Sequence, residues 1–490
     1  MSSLCHSHPM GKKISRYRQK IVRFVVLILS FVWAIAGQGH AETVFQVIPV
    51  LSVTEEYQDN FFSTGTNKQE EFITTYALQF TAGILEEKHR LYLSYSPEYK
   101  DYRNLNDRDR LGHYVTLTGE INPARHTDLT YGLVYDGDSD NLEGESRRHQ
   151  AYFSGISQTG KSTRLTYGHQ YEDRFDRQSR TGDYKEHTRN TSRAGIHHQY
   201  GPKNHVRVTF LYEFDSYENT DPDAYTRYEP AGYVSYWFSP RYGMDANLSY
   251  EDRDFDDTFD YTRTLSGDVR FIKTVSKTFD TFVKYRHSYS ETQDLTHHTF
   301  HPSVGFDWQV TEDSGISLGV GALFHDWSNH DNDSVDPFLD IDAYKIFTFS
   351  PRTHLSLTGT SGYTASGDQA SSLGFTTYYQ AGAQLSHHLF KQVTSNLSAA
   401  LRRDEYQETI SDREDTRMIL GASLAWQPLK WLYVNVGYSF VDFTTTDAFR
   451  EDYTDNRLFL KIDLVPEIPV TMSADPSRQA LEDQLFNWER

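Results

Sequence analysis

The stretch "NHVRVTFLYEFDSY" (Asn204–Tyr217) alternates between apolar and polar side chains. Val206 and Phe210 stand at even positions, whereas Arg207 and Thr209 stand at odd ones. Successive side chains of a β-strand point to opposite faces, so a period of two indicates a strand with one apolar and one polar face.

The same alternation recurs along the chain and is long for a soluble protein. "LYLSYSPEYK" (Leu91–Lys100) and "WLYVNVGYSF" (Trp431–Phe440) each keep it over about ten residues. Strands of soluble sheets usually run about five or six residues, whereas a tilted strand needs about nine to eleven to cross a bilayer. The length therefore predicts a transmembrane barrel.

Short and long polar connections alternate between these strands. Short connections are expected near residues 85–88, 122–125, 157–161, 199–203, 239–241, 275–277, 311–314, 350–352, 391–394 and 427–430. Long connections are expected near residues 59–70, 103–111, 137–147, 175–186, 216–225, 254–260, 290–296, 328–335, 365–371, 407–414 and 444–454. Ten turns and eleven loops join about 22 strands. The predicted fold class is an all-β, antiparallel, up-and-down outer-membrane β-barrel over residues 42–466.

Residues 1–41 have the pattern of a secretory signal peptide that is cleaved from the mature protein. A basic segment precedes "FVVLILSFVWAIA" (Phe24–Ala36), and Gly39 and Ala41 are the small residues expected before a cleavage site. The alternative is an N-terminal membrane anchor. Cleavage removes Cys5, the only cysteine, and leaves 42 Lys and Arg against 68 Asp and Glu, a net charge of −26. So acidic a chain is not expected to bind nucleic acid.

A proline-containing motif recurs where short turns are expected. "WFSPRYG" (Trp237–Gly243) and "TFSPRTH" (Thr348–His354) share it, and "EINPARH" (Glu120–His126) and "LAWQPLKW" (Leu424–Trp431) are looser versions. Proline pre-sets φ for a turn and has no N–H for a sheet ladder. The neighbouring aromatic residue and base suit a girdle at the membrane interface. The alternative is a repeated binding motif.

The polar faces of the strands carry charges of both signs. In a barrel such a face lines the lumen. The candidate lumen-lining residues are Glu98, Lys100, Arg164, Glu172, Arg174, Arg207, Glu213, Lys284, Arg286, Arg402, Asp404, Lys461 and Asp463. Either these residues contact a polar solute, or they form cross-strand ion pairs that stiffen the wall.

No catalytic or metal-binding constellation can be identified, so we expect no enzyme activity, cofactor or metal site. Asp136, Asp138 and Asp140 have the first spacings of a calcium loop, but Asn141 and Arg147 replace the glycine and the glutamate that such a loop requires. Neighbouring histidines on a strand point to opposite faces and cannot chelate one ion. Three such pairs occur: His197/His198, His297/His298 and His387/His388.

The segment "LSVTEEYQDNFFST" (Leu51–Thr64) resembles the start of a putative beta-barrel porin family found with exopolysaccharide gene sets. The positions that carry the resemblance are Glu56, Tyr57, Asp59, Asn60 and Phe61. The resemblance implies an outer-membrane channel for polysaccharide and brings no catalytic residues. The expected last strand, "RLFLKIDL" (Arg457–Leu464), departs from the usual barrel ending because it has no terminal aromatic residue.

The count of 22 strands also resembles that of TonB-dependent transporters, which carry a plug domain before the first strand. Here the first strand is expected at Thr43 or Val44, directly after the cleavage site, so no plug is expected. A barrel this wide must then fill its lumen with side chains and loops, or conduct. Residues 467–490 are expected to form a periplasmic tail with a short helix capped at Asp475.

Taken together, the sequence predicts a channel of the Gram-negative outer membrane that transports polar solutes, and the family resemblance implies that the solute is an exported exopolysaccharide. The expected partners are outer-membrane lipid, lipopolysaccharide, the solute, and a periplasmic protein at the tail. Two alternatives stay open: a barrel enzyme that acts on lipid or sugar, and a structural or adhesive surface barrel with a closed lumen.

Overall fold

The computed structural model describes residues 44–86, 88–140, 145–177, 184–217, 224–255, 261–293, 296–328, 334–366, 374–408, 413–447 and 450–465. The signal peptide expected over residues 1–41 and the tail helix expected over residues 467–490 lie outside these ranges. Within them, no helix is both long and apolar enough to cross a membrane.

The described residues form 22 β-strands and one short 3₁₀ turn at Asn106–Arg108. The strands are β1 (Val44–Gln58), β2 (Glu71–Leu85), β3 (His89–Tyr102), β4 (Arg110–Ala124), β5 (Thr127–Asp140), β6 (Glu145–Gln158), β7 (Thr163–Arg177), β8 (Tyr184–Gln199), β9 (His205–Tyr217), β10 (Tyr225–Trp237), β11 (Tyr242–Phe255), β12 (Tyr261–Ser276), β13 (Phe279–Thr292), β14 (Thr296–Thr311), β15 (Ser314–Trp327), β16 (Ser334–Ser350), β17 (Thr353–Ser366), β18 (Gly374–Phe390), β19 (Val393–Glu408), β20 (Arg413–Leu429), β21 (Leu432–Thr445) and β22 (Tyr453–Leu464).

Each strand pairs antiparallel with its neighbours in the chain, and β1 pairs with β22, so the sheet closes into a barrel. Closure removes every free sheet edge, which is the condition for β-structure in a bilayer because unpaired backbone groups cannot be hydrated there. The predicted all-β antiparallel barrel of 22 strands is confirmed.

The connections alternate in length, as predicted, but nine of the eleven long loops are shorter than expected. We call the rim with ten connections of two to five residues the turn rim, and the rim with eleven connections of three to twelve residues the loop rim. The expected loop over residues 137–147 shrinks to residues 141–144, because β5 and β6 extend past the apolar segment. The acidic ends of these strands show no hydrophobic alternation, so the sequence pattern assigned them to the loop.

The two faces of the wall differ as the alternation predicts. On the outer face, large aliphatic side chains in mid-strand are exposed, including Val208 (49%), Leu248 (58%) and Val304 (58%). Exposed aromatic residues flank this belt. Those at the turn rim include Phe238, Phe349, Phe390, Trp426 and Trp431, and those toward the loop rim include Tyr99, Tyr171, Tyr228 and Tyr250. An aliphatic belt between two aromatic girdles is the outer surface of a barrel that contacts lipid.

All four proline motifs lie at the turn rim, as predicted, but Pro123 and Pro428 belong to the last residues of β4 and β20, and only the two FSPR motifs place proline in the turn itself. Pro351 and Arg352 form the connection between β16 and β17, and the connection between β10 and β11 spans Phe238–Arg241. Phe238 stacks on Tyr242, with ring centroids 6.3 Å apart, on the exposed outer surface.

The seam between β1 and β22 is held by side chains at the loop rim. Its ladder has eight residue pairs, from Leu51↔Leu464 to Gln58↔Arg457, whereas β1 and β2 share fifteen. Asp59 accepts hydrogen bonds from the backbone N–H and the side-chain amide of Asn456, at 2.7 and 2.6 Å. The segment that carries the family resemblance therefore includes the residues that close the barrel.

Asn60, whose side chain is fully buried, adds further hydrogen bonds to this seam, and we call these contacts the Asn60 lock. Its amide donates to the carbonyl oxygens of Thr64 and Thr454, at 2.8 and 2.9 Å, and its Oδ1 accepts from the N–H of Thr64, at 3.0 Å. The side chain has 0% of its surface exposed. One amide thus joins the first loop to the last strand.

We expect Asn60→Ala to lower the free energy of unfolding by about 1–3 kcal/mol, because it removes the hydrogen bonds that the fully buried Asn60 amide makes to the partly buried backbone of Thr64 and Thr454. The temperature at which the folded barrel loses its fast gel mobility measures this change. Asn104→Ala, which removes one hydrogen bond of an exposed amide to the Glu70 carbonyl, is the control and should change stability by less than about 0.5 kcal/mol. Equal stabilities of the two variants would contradict the lock.

Candidate functional site: the lumen face

We call the wall surface opposite the aliphatic belt the lumen face. The strand registers show which residues belong to this face, because residues opposite each other on paired strands point to the same side. Thr191 on β8 is opposite Glu213 on β9, and Glu213 is opposite Arg227 on β10. On each of these strands, the residues on either side of the lumen-facing position point outward. All thirteen predicted lumen-lining residues lie on this face: Glu98, Lys100, Arg164, Glu172, Arg174, Arg207, Glu213, Lys284, Arg286, Arg402, Asp404, Lys461 and Asp463. Their contact with a solute stays a prediction.

Several of these residues form ion pairs within the wall. Lys100 lies 2.9 Å from Glu98, and Arg402 lies 2.7 Å from Asp404, each pair joining residues two apart on one strand. Longer pairs join Lys461 to Asp463, at 3.4 Å, and Lys284 to Asp340, at 3.5 Å. Ion pairing accounts for this part of the candidate set without a ligand.

The calcium-like aspartates belong to the wall and not to a loop. Asp136 and Asp138 lie on β5, where Asp136 pairs with Arg148, at 3.2 Å, and Asp138 pairs with Arg110, at 3.1 Å. Their spacing of two reflects the strand period, because both side chains face the lumen.

A buried charged network lies on the lumen face close to the loop rim. Asp215, with no exposed surface, accepts two hydrogen bonds from Arg189, at 2.7 and 3.0 Å, and its other oxygen lies 2.9 Å from Nε2 of His187. Next to it, Glu213 accepts hydrogen bonds from Tyr225, at 2.7 Å, and from Thr191, at 3.0 Å. Side-chain packing seals the wall here.

A second sector of the lumen face, on β14–β17, is packed like a protein core. Leu323 (1% exposed) and Phe338 (3%) form its centre, and Tyr363 packs against them. His301 is fully buried between the rings of Phe338 and Tyr363, with centroids 5.0 and 5.5 Å away. This packed sector thickens the wall on the lumen side.

The paired histidines point to opposite faces, as expected. His197 faces the lumen beside Arg207, whereas His198 bonds to the outward-facing Thr163 hydroxyl, at 2.8 Å. Within the described ranges, no group of three or more His, Cys, Asp or Glu residues could hold a metal ion.

One serine–histidine pair lies on the outer face, where a lipid-modifying enzyme would carry its site. Nδ1 of His169 is 2.9 Å from Oγ of Ser192. In the described part of the chain, the contacts of this histidine are with Ser192 and with the ring of Phe153, and none is with a carboxylate. Because a nucleophilic serine needs an oriented base, this pair is better explained as a cross-strand hydrogen bond.

Arg193 lies on the lumen face and was missed by the sequence prediction. It faces Gly168 on β7 and Leu211 on β9. Polar residues occupy both faces of β8, so alternation could not show which face is inward. The register with β9, whose outer face is apolar, shows that Arg193 points to the lumen.

No protein-family model matches the chain, and no curated protein matches it. Solved structures do share its fold. The siderophore receptor PirA from Pseudomonas aeruginosa superposes with a TM-score of 0.55 over 86% of this chain and 80% of that one, at 9% identity. PirA from Acinetobacter baumannii gives 0.55 at 8% identity, covering 86% and 80%. The ferric enterobactin receptor PfeA in complex with BCV-L6 gives 0.55 at 7% identity, covering 88% and 82%. At such identities the likeness shows an outer-membrane β-barrel fold alone.

Proposed function

We propose that this protein is a passive channel of the bacterial outer membrane for polar solutes, and that the solute is a saccharide chain such as an exopolysaccharide. The observation that carries the proposal is the lumen face, which keeps charges of both signs on strands all around a closed barrel. Charge on the inner face and aliphatic residues on the outer face are the arrangement of a water-filled barrel.

The width of the barrel supports an open path. A wall of 22 strands encloses far more space than one layer of side chains fills, whereas about eight strands are needed for side chains to meet in the middle. An open lumen further requires that no plug domain occupies it, and this stays a prediction.

Aromatic side chains on the lumen face support a saccharide. Tyr114 and Tyr344 face the lumen with 41% and 39% of their surfaces exposed. An exposed ring offers a flat apolar surface to the faces of a sugar, and its hydroxyl offers a hydrogen bond. Neither a closed structural barrel nor an enzyme requires exposed rings along the lumen.

Cysteine substitution at adjacent residues tests the channel. The chain has one cysteine, Cys5, within the predicted signal peptide, so the mature barrel should be free of thiols. We expect Tyr114→Cys, on the lumen face, to lose conductance in a planar bilayer when a charged methanethiosulfonate is added. Val115→Cys faces outward and should be unaffected.

The outcomes separate the channel from the two alternatives. Stepwise currents that fall only in the Tyr114→Cys barrel support the channel. A folded barrel without current would contradict it and favour the closed surface barrel or the enzyme. Modification of both variants without any change in current would show that the conducting path does not follow this face.

A further inference from the structure

Three arginines and one histidine form an exposed basic patch on the lumen face of β7, β8 and β9. Its members are Arg164, Arg193, His197 and Arg207, and we call them the basic patch. All three arginine side chains are exposed, although they lie on the inner face of the barrel. They therefore face the water of the lumen and not the packed sectors of the wall.

The registers bring the patch together near the turn rim. His197 on β8 lies opposite Arg164 on β7 and opposite Arg207 on β9. Neighbouring strands are about 4.8 Å apart, so the two arginines start about 10 Å from each other with the histidine between them. Arg193 lies four residues along β8 from His197, about 13 Å away. Long guanidinium side chains can converge from these positions on one extended ligand.

The basic patch differs from most lumen arginines because its arginines have no carboxylate partner in the described structure. Elsewhere Arg148 pairs with Asp136, and Arg110 pairs with Asp138. Within the described ranges, no ion pair or carboxylate hydrogen bond involves Arg164, Arg193 or Arg207. A cluster of unpaired positive charge attracts anions locally, although the protein as a whole carries a net charge of −20.

The side chains between the arginines of the basic patch are small, which leaves room for a ligand. Thr166 on β7, Gly195 on β8, Thr209 on β9 and Ala231 on β10 form one row across the lumen face, directly beside the arginines. A Cβ at Gly195 would lie 2.7 Å from Oγ1 of Thr166, so any larger residue would push the threonine aside. Small residues and hydroxyl groups thus form the floor between the arginines.

An aromatic ring flanks the patch. The guanidinium carbon of Arg207 lies 5.5 Å from the ring centroid of Tyr233, which follows it in the same lumen row. The ring orients the guanidinium and provides a surface on which a sugar can stack. Guanidinium groups bind carboxylates through paired, charge-assisted hydrogen bonds.

We propose that the basic patch binds the carboxylates of an acidic saccharide chain, one composed of uronic-acid units, as it passes through the lumen. This inference rests on the proposed channel function and names its substrate class. Two carboxylates of one chain occupy the patch, one between Arg164 and Arg207 and one at Arg193, while the rings of the sugar contact the low floor and Tyr233.

The test is block of the single-channel current by oligogalacturonate, with a neutral malto-oligosaccharide of equal length as the comparison probe. We expect the acidic oligomer to block the unmodified barrel at much lower concentration than the neutral one. The triple substitution Arg164→Gln, Arg193→Gln, Arg207→Gln should raise the half-blocking concentration of oligogalacturonate about tenfold or more and leave block by the neutral oligomer unchanged. Arg148→Gln removes an arginine whose charge Asp136 neutralises, and should keep the block.

The outcomes distinguish this inference from the channel itself. A conducting barrel that both oligomers block equally, or whose block survives the triple substitution, overturns the basic patch. An unmodified barrel without current overturns the channel. In that case titration calorimetry of the folded barrel with oligogalacturonate decides the patch alone: heat that disappears in the triple variant supports it, and no heat overturns it.

Discussion

Leu248→Arg should strongly destabilise the folded barrel in lipid, because it places a charge in the middle of the lipid-facing belt. Leu248 lies halfway along β11 with 58% of its surface exposed, and it lines an outer groove with Val234 and Leu265. An arginine at the midplane of a barrel's lipid face costs about 2–4 kcal/mol. The fraction folded in phospholipid vesicles, titrated with urea, measures this cost.

The neighbouring residue is the control. Asn247 precedes Leu248 on the same strand and is also exposed, but faces the lumen. Asn247→Arg adds the same side chain to the water-filled side and should change the folding free energy by less than about 1 kcal/mol. If the two variants fold equally well, the assignment of inner and outer faces is wrong.

Asp215→Asn should cost about 2–3 kcal/mol of stability, because it removes the charge from a fully buried carboxylate and leaves the Arg189 guanidinium without its partner. Breaking a buried ion pair costs about 3–5 kcal/mol. We expect less here because Arg189 is 39% exposed and can be partly hydrated. The urea midpoint of the folded barrel in lipid measures the loss.

Asp136→Asn is the matched control for the buried pair. Asp136 also pairs with one arginine on the lumen face, but its side chain is 49% exposed, so the pair contributes only about 0–1 kcal/mol. A loss at Asp215 no larger than that at Asp136 would show that burial adds nothing to the network.

The barrel architecture could be predicted because it depends on local patterns. Alternation identifies a strand from its own residues, and proline with a neighbouring aromatic residue and base marks a turn without reference to the rest of the chain. The count of 22 followed from these local marks alone. The face of each candidate lumen residue followed as well, wherever one side of its strand is apolar, as for Arg207 between Val206 and Val208.

The ion-pair partner of each charged side chain could not be predicted, because it depends on the register between strands. Asp215 contacts Arg189, 26 residues earlier, only because β8 and β9 pair with this offset. Shifting the register by one residue would point one of the two side chains at lipid. The difference between a paired charge at Arg148 and an unpaired one at Arg164 is invisible in the sequence for the same reason.

The role of Asp59 and Asn60 in closing the barrel could not be predicted from the sequence either. The sequence shows a resemblance to the first strand and loop of a porin family, but its partners lie on β22, 397 residues away for the Asp59–Asn456 contact. Only the closed sheet brings the two ends together.

The seam has a consequence for how the chain folds. Every other strand pair joins neighbours in sequence, so hairpins can form as soon as both strands are present. The β1–β22 ladder cannot form until the last strand has been made, and until then β1 and the most recently formed strand each present an open edge to which the edge of another chain can pair. Formation of the eight-pair ladder, with the buried Asn60 beside it, is therefore the step that removes the last open sheet edges and with them the sites at which another chain could pair.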